Sequence, residues 1–98
     1  MLNIKQIEFD ERYDDEEYGT TTLYFVAPKE LLSDKYPEAV SVEICVECPT
    51  AHIDACHAGV GFSPTKYVEE DDCYVDFDWF DLDLPNEEIE ALIALTEK

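Results

Sequence analysis

AVSVEICVEC, residues 39–48, sets the frame for the rest of the chain. Val40, Val42, Ile44 and Val46 alternate with Ser41, Glu43, Cys45 and Glu47, so the two sets project to opposite faces at a period of two. One face is apolar and the other polar. That is the pattern of a strand in a sheet with one buried side.

The neighbouring segments extend this sheet. LNIKQIEF (2–9) reads as a first strand and DERYDDEE (10–17) as a highly charged loop. YGTTTLYFVA (18–27), rich in aromatic and β-branched residues, reads as a second strand in a hairpin with the first. Pro28 opens a short helix, PKELLSDKY, and Pro37 stops it. Beyond the central strand, Thr50 is placed to cap one or two helical turns in AHIDACHA, which Gly59 ends. GVGFSPTKYV (59–68) reads as strand broken near Pro64, and EEDD (69–72) as a turn. CYVDFDWFDLDL (73–84) is strand, with Val75, Phe77 and Trp79 on one face and a slip of one residue at Trp79–Phe80, the mark of a bulge or bend. Pro85-Asn86 starts a terminal helix whose apolar stripe is Ile89, Leu92, Ile93 and Leu95 or Thr96.

The expected fold is therefore α+β, one domain spanning 1–98. It has a mainly antiparallel sheet of about five strands, a short helix, a C-terminal helix on one face and a small zinc-stapled segment.

Composition narrows the function. The chain has 98 residues, 25 acidic against 6 basic, and a formal charge of −19. An apolar fraction of 46% still supports a core. Such a charge repels nucleic acid and acidic membranes, and favours basic partners. Spread evenly over the roughly 5,700 Å² of a domain this size, the carboxylates would sit one per roughly 230 Å². DNA carries one charge per roughly 110 Å², so mimicry of DNA requires clustering. The opening MLNIKQIEFDERYDDEE has neither an apolar signal core nor a basic n-region, and the longest apolar run is far short of a membrane span. A reducing cytoplasm is expected, where cysteines are thiols or metal ligands rather than disulfides.

CVECPTAHIDACH (45–57) holds three of the four cysteines and both histidines. The spacing Cys45-x2-Cys48-x3-His52-x3-Cys56 offers a thiolate pair from a strand end and a His/Cys pair from one helix face. Those four residues are the expected ligands of a structural Zn²⁺, with His57 an alternative to His52. The spacing resembles the CCHC zinc knuckle, with each long gap shortened by one residue. Val46-Glu47 and Pro49-Thr50 stand where the knuckle has glycines, and its RNA binding does not suit this charge. A second reading stays open: Cys48 in the core with Val46, Cys45 on the other face, Cys56 under the short helix and the histidines exposed. The zinc deaminase pattern is absent, because no H-x-E occurs. Nor does a phosphate loop, a G-x-S-x-G or an H-E-x-x-H. The expectation is a protein that is not an enzyme.

The acidic clusters are the candidate partner-binding residues: Asp14, Asp15, Glu16 and Glu17; Glu69, Glu70, Asp71 and Asp72; and Asp76, Asp78, Asp81 and Asp83. A charge run can also be a plain solvated face or an adaptation to a salty cytoplasm. Calcium is disfavoured, since DFDWFDLD lacks the EF-hand glycine and terminal glutamate.

In size, charge, the clusters DERYDDEEY and VEEDDCYVDFDWFDLDL, and lack of catalytic motifs, the chain resembles the small acidic inhibitors that phages carry against host nucleases, the anti-CRISPR and anti-restriction proteins. The resemblance implies an inhibitor that occupies the basic channel of a nucleic-acid enzyme, a CRISPR effector nuclease foremost, and keeps target DNA from loading. The rival expectation is a cytoplasmic adaptor with a structural zinc, whose charge only keeps it soluble.

Overall fold

The fold is that of a computed structural model, which describes residues 4–31, 39–76 and 78–97. Six strands form one antiparallel sheet: β1 (Glu8–Asp15), β2 (Thr20–Pro28), β3 (Ser41–Pro49), β4 (Gly59–Val68), β5 (Cys73–Asp76) and β6 (Phe80–Asp81). The order is β1-β2-β3-β4-β5, and β6 also pairs with β4. Among the described residues one α-helix, α1 (Asn86–Leu95), completes the α+β architecture.

β3 behaves as its alternation requires. Val42, Ile44, Val46 and Cys48 are buried, while Ser41, Glu43 and Cys45 are half-buried on the opposite face. Register carries this phase into the neighbours. Leu23 and Phe25 of β2 stand opposite Val46 and Ile44, and Val60 and Phe62 of β4 stand opposite the same two residues. Ile89, Leu92 and Ile93 of α1 close over this apolar face, joined by Leu82 and Leu84. Burying a side chain such as Phe25, Ile44 or Leu92 contributes about 1.5–3 kcal/mol each. Among the described residues, no helix covers the other face of the sheet.

Several expectations are corrected. The charged stretch 10–17 is not a loop: Glu8–Asp15 is an edge strand paired with β2, and only Glu16–Gly19 turn. An edge strand has one bonded neighbour, so it tolerates charge on both faces. Residues 4–6, expected as strand, form a 3-10 turn. A register shift between Phe9 and Glu11 sets Phe9 beside Phe25 on the core side, with ring centroids 5.7 Å apart. Gly19 closes the hairpin at φ +66°, a conformation that suits glycine. Of the expected helix at 28–36, Lys29–Leu31 form one 3-10 turn, and 32–38 lie outside the described residues.

β4 runs unbroken through Pro64. β6 pairs with Gly61 and Phe62, and β5 with Thr65–Val68, so the proline falls between the two strands where neither needs its missing N–H. The helix expected in AHIDACHA is a single 3-10 turn, Ala55–His57, capped by Asp54 rather than Thr50. Thr50 instead shares a hydrogen bond with buried Thr21, Oγ1 to Oγ1 at 2.9 Å. The bend expected in 73–84 is real and divides that stretch into β5 and β6. It also moves Trp79: Val75 pairs with Lys66 on the core side, whereas Trp79 joins Asp76 and Glu43 on the uncovered face. Phe77 lies outside the described residues.

Candidate functional site

The uncovered face of the sheet is concave, and the shape follows from β4. Its side chains there are Gly59, Gly61, Ser63 and Thr65, all small, opposite Glu47, Cys45, Glu43 and Ser41 of β3. Large residues rise on either side, Tyr13 and Tyr24 from β1 and β2, and Trp79 from the bend before β6. Three adjoining clefts result. The first contains Asp10, Val26, Val40 and Glu43. The central one, of about 470 Å³, is lined by Asp10, Glu11, Tyr13, Tyr24, Glu43, Asp76 and Trp79. The third shares Tyr24 and Trp79 with the central one and continues over Gly61 to Cys45, Glu47 and Asp81. Among the described residues, six carboxylates line the groove, and no Lys, Arg or His does.

Crowding shows in the titration of this face. Burial pushes Glu43 up to about 7, and the charges of Asp76, Asp10 and Glu11 add to the effect. Burial also raises Asp76. Tyr24 is raised by burial first, then by the charges of Cys45, Glu43, Glu11 and Glu47. Cys45 is raised by burial first, partly offset by a backbone hydrogen bond from Gly61, with Glu47, Glu43 and Asp76 adding to the rise. A thiol held protonated is a weak nucleophile.

The expected metal ligands do not converge. Cys45 and Cys48 project from opposite faces of β3, so they cannot grip one ion. Cys48 is buried, and Cys56 and His52 are exposed. Without the expected helix, the spacing of His52 and Cys56 loses its meaning. Cys56 is not packed under a helix either. Another group forms instead: His52, Asp54 and His57 place their ligand atoms within 4.8 Å of one another and could hold a metal ion. The two imidazoles stack at 4.6 Å. His57 donates from Nδ1 to Asp54 Oδ1 at 2.7 Å, which fixes the ring and leaves Nε2 as its acceptor. Asp54 is held below the usual carboxylate range by that hydrogen bond.

The expected partner-binding acids fall in separate places. Asp76 and Asp81 line the groove. Asp78 is exposed in the bend, and Asp83 is exposed beyond β6. Asp14 accepts hydrogen bonds from Thr21 Oγ1 at 2.7 Å and Arg12 Nε at 3.0 Å, and Asp15 Oδ1 accepts from the backbone N–H of Glu17 and Tyr18. Both build the β1–β2 hairpin. Glu16 and Glu17 are exposed at its tip. Glu69, Glu70, Asp71 and Asp72 form the β4–β5 turn at the opposite end of the sheet, where Asp72 accepts from the Tyr67 hydroxyl. Sequence reasoning counted Asp10 and Glu11 in the first acidic cluster but missed Glu43 and Glu47, and so missed the four as a set. Their signal was present, since Glu43 and Glu47 share the polar face of β3.

No helix among the described residues is long and apolar enough to cross a membrane. No protein-family model, curated protein or solved structure matches the chain.

Proposed function

We propose that this protein is an inhibitor without enzymatic activity that binds a basic nucleic-acid-binding enzyme, an RNA-guided nuclease of the CRISPR type foremost, and blocks loading of target DNA. One observation carries the reading: among the described residues, an uncovered groove on the sheet holds six carboxylates and no basic side chain. A basic channel evolved to hold phosphates would accept such a surface. The test is competition on a guide-loaded nuclease. The protein should displace labelled target DNA at low salt, and the effect should weaken steeply as salt rises. Displacement that is indifferent to salt, or none at all with basic nucleic-acid enzymes, would overturn the reading.

The alternative is a cytoplasmic adaptor carrying a structural zinc. The group His52, Asp54 and His57 favours its metal part, since two imidazoles and a carboxylate are a donor set that zinc accepts. Zinc would then sit on the loop between β3 and β4, away from the groove. Metal analysis of the purified protein, with and without His52→Ala, tests it.

A further inference from the structure

We propose that the centre of the groove is a pocket for one arginine side chain of the basic partner, with Tyr24 and Trp79 as stacking walls and Glu43 and Asp76 as the anionic floor. This inference rests on the binding function proposed above and names the group recognised.

Three features select arginine. The first is charge: Glu43, Asp76, Asp10 and Glu11 face the same cleft from three strands, and no cationic side chain among the described residues lines it. An incoming cation would relieve that repulsion. The second is the aromatic lining. Tyr13, Tyr24 and Trp79 border the cleft, and Trp79 and Tyr13 are 44% and 56% exposed. Large aromatics left open to solvent around a ring of acids present their faces to a cation. A guanidinium is planar, stacks on such faces, meets carboxylates through paired N–H donors and sheds water more readily than an ammonium.

The third is the room at Gly61. A Cβ there would stand 3.2 Å from the Phe80 carbonyl oxygen, 3.7 Å from Cys45 Sγ and 3.8 Å from Trp79 Cε3. The glycine lets the indole lie close over β4 while the floor beside it stays low. The half-buried position of Glu43 adds to this. Its carboxyl, raised to about 7, gives up its proton more readily when a cation arrives.

Trp79 is the chain's single tryptophan, so its fluorescence reports on the pocket. The experiment titrates the protein with oligo-arginine and oligo-lysine peptides of equal length, at low salt and above the Glu43 titration. Both peptides should bind, oligo-arginine about tenfold tighter and with a change in Trp79 emission. Glu43→Gln and Tyr24→Leu should each bring the two affinities close together. Glu43→Gln keeps the side-chain shape, so it serves if Tyr24→Leu does not fold. Glu69→Gln with Glu70→Gln, in the distant turn, should leave the arginine preference intact. Equal affinities with unchanged Trp79 emission would overturn the pocket and leave the acidic-surface reading standing. Failure of both peptides to bind would overturn both.

Discussion

Glu43 on β3 and Asp76 on β5 line one cleft although β4 runs between them. Only Ser63 and Thr65, their register partners on β4, separate the two carboxyls, and neither is tall enough to screen them. The polar face of the sheet is therefore a place where like charges are held together, against the tendency of a strongly acidic chain to spread them.

That arrangement fixes a pH dependence. Glu43 titrates at about 7 in the fold, against an ordinary value of 4.5. The folded state thus binds more protons than the unfolded state between those values, and stability falls as pH rises through that window. Glu43→Gln should flatten the fall and stabilise the protein at about pH 8 by about 1 kcal/mol, after allowance for solvent screening. Urea melts of both proteins across the window measure it. Parallel curves for the two would show that Glu43 is not raised.

Gly61 is predicted to be intolerant of larger residues. Gly61→Val would press on the Phe80 carbonyl and on Trp79. Overpacking of this kind costs about 1–3 kcal/mol. Thermal melts should show the loss, and Trp79 emission should shift in the same variant. An unchanged spectrum would place the indole elsewhere.

The thiols should differ sharply in labelling. Cys56 is exposed, whereas Cys48 is buried against the core. A thiol reagent should modify Cys56 at once and Cys48 only on unfolding. Cys45 should be slow, because burial raises its thiol. A chelator should change none of these rates, since Cys45 and Cys48 project from opposite faces of β3 and Cys56 is exposed. Protection of Cys45, Cys48 and Cys56 together by added zinc would contradict that.

Leu92 tests the other side of the sheet. It is fully buried between α1 and the strands. Leu92→Ala should cost about 2–5 kcal/mol. It should leave peptide binding unaltered at temperatures where the variant is folded, because the helix lies on the face away from the groove.

How far the sequence could be read depends on which element is considered. β2, β3, α1 and the turn at 69–72 follow from local pattern, since each either has a clean apolar period or a run of turn residues. β1 does not: EFDERYDD has no apolar face, and its strand conformation comes from pairing with β2. β4 reads as interrupted because Pro64 is a breaker in isolation, and only the gap between its two partner strands makes it harmless. The expected cysteine ligands are kept apart for a related reason. Strand structure continues through Cys48 to Pro49, and that puts Cys45 and Cys48 back to back. The polar side of β3 was evident from alternation. That it remains uncovered and becomes the floor of a groove is decided by the small residues of β4 and the bend at Trp79, which are tertiary facts.

In the proposed function the uncovered face of the sheet is the binding surface. The most direct measurement is a map of backbone amide NMR shifts as an arginine-rich peptide is added. Shifts should concentrate at Glu11, Tyr24, Glu43, Gly61, Asp76 and Trp79 and fade as salt is raised. Shifts confined to α1 or to the two acidic turns would contradict it.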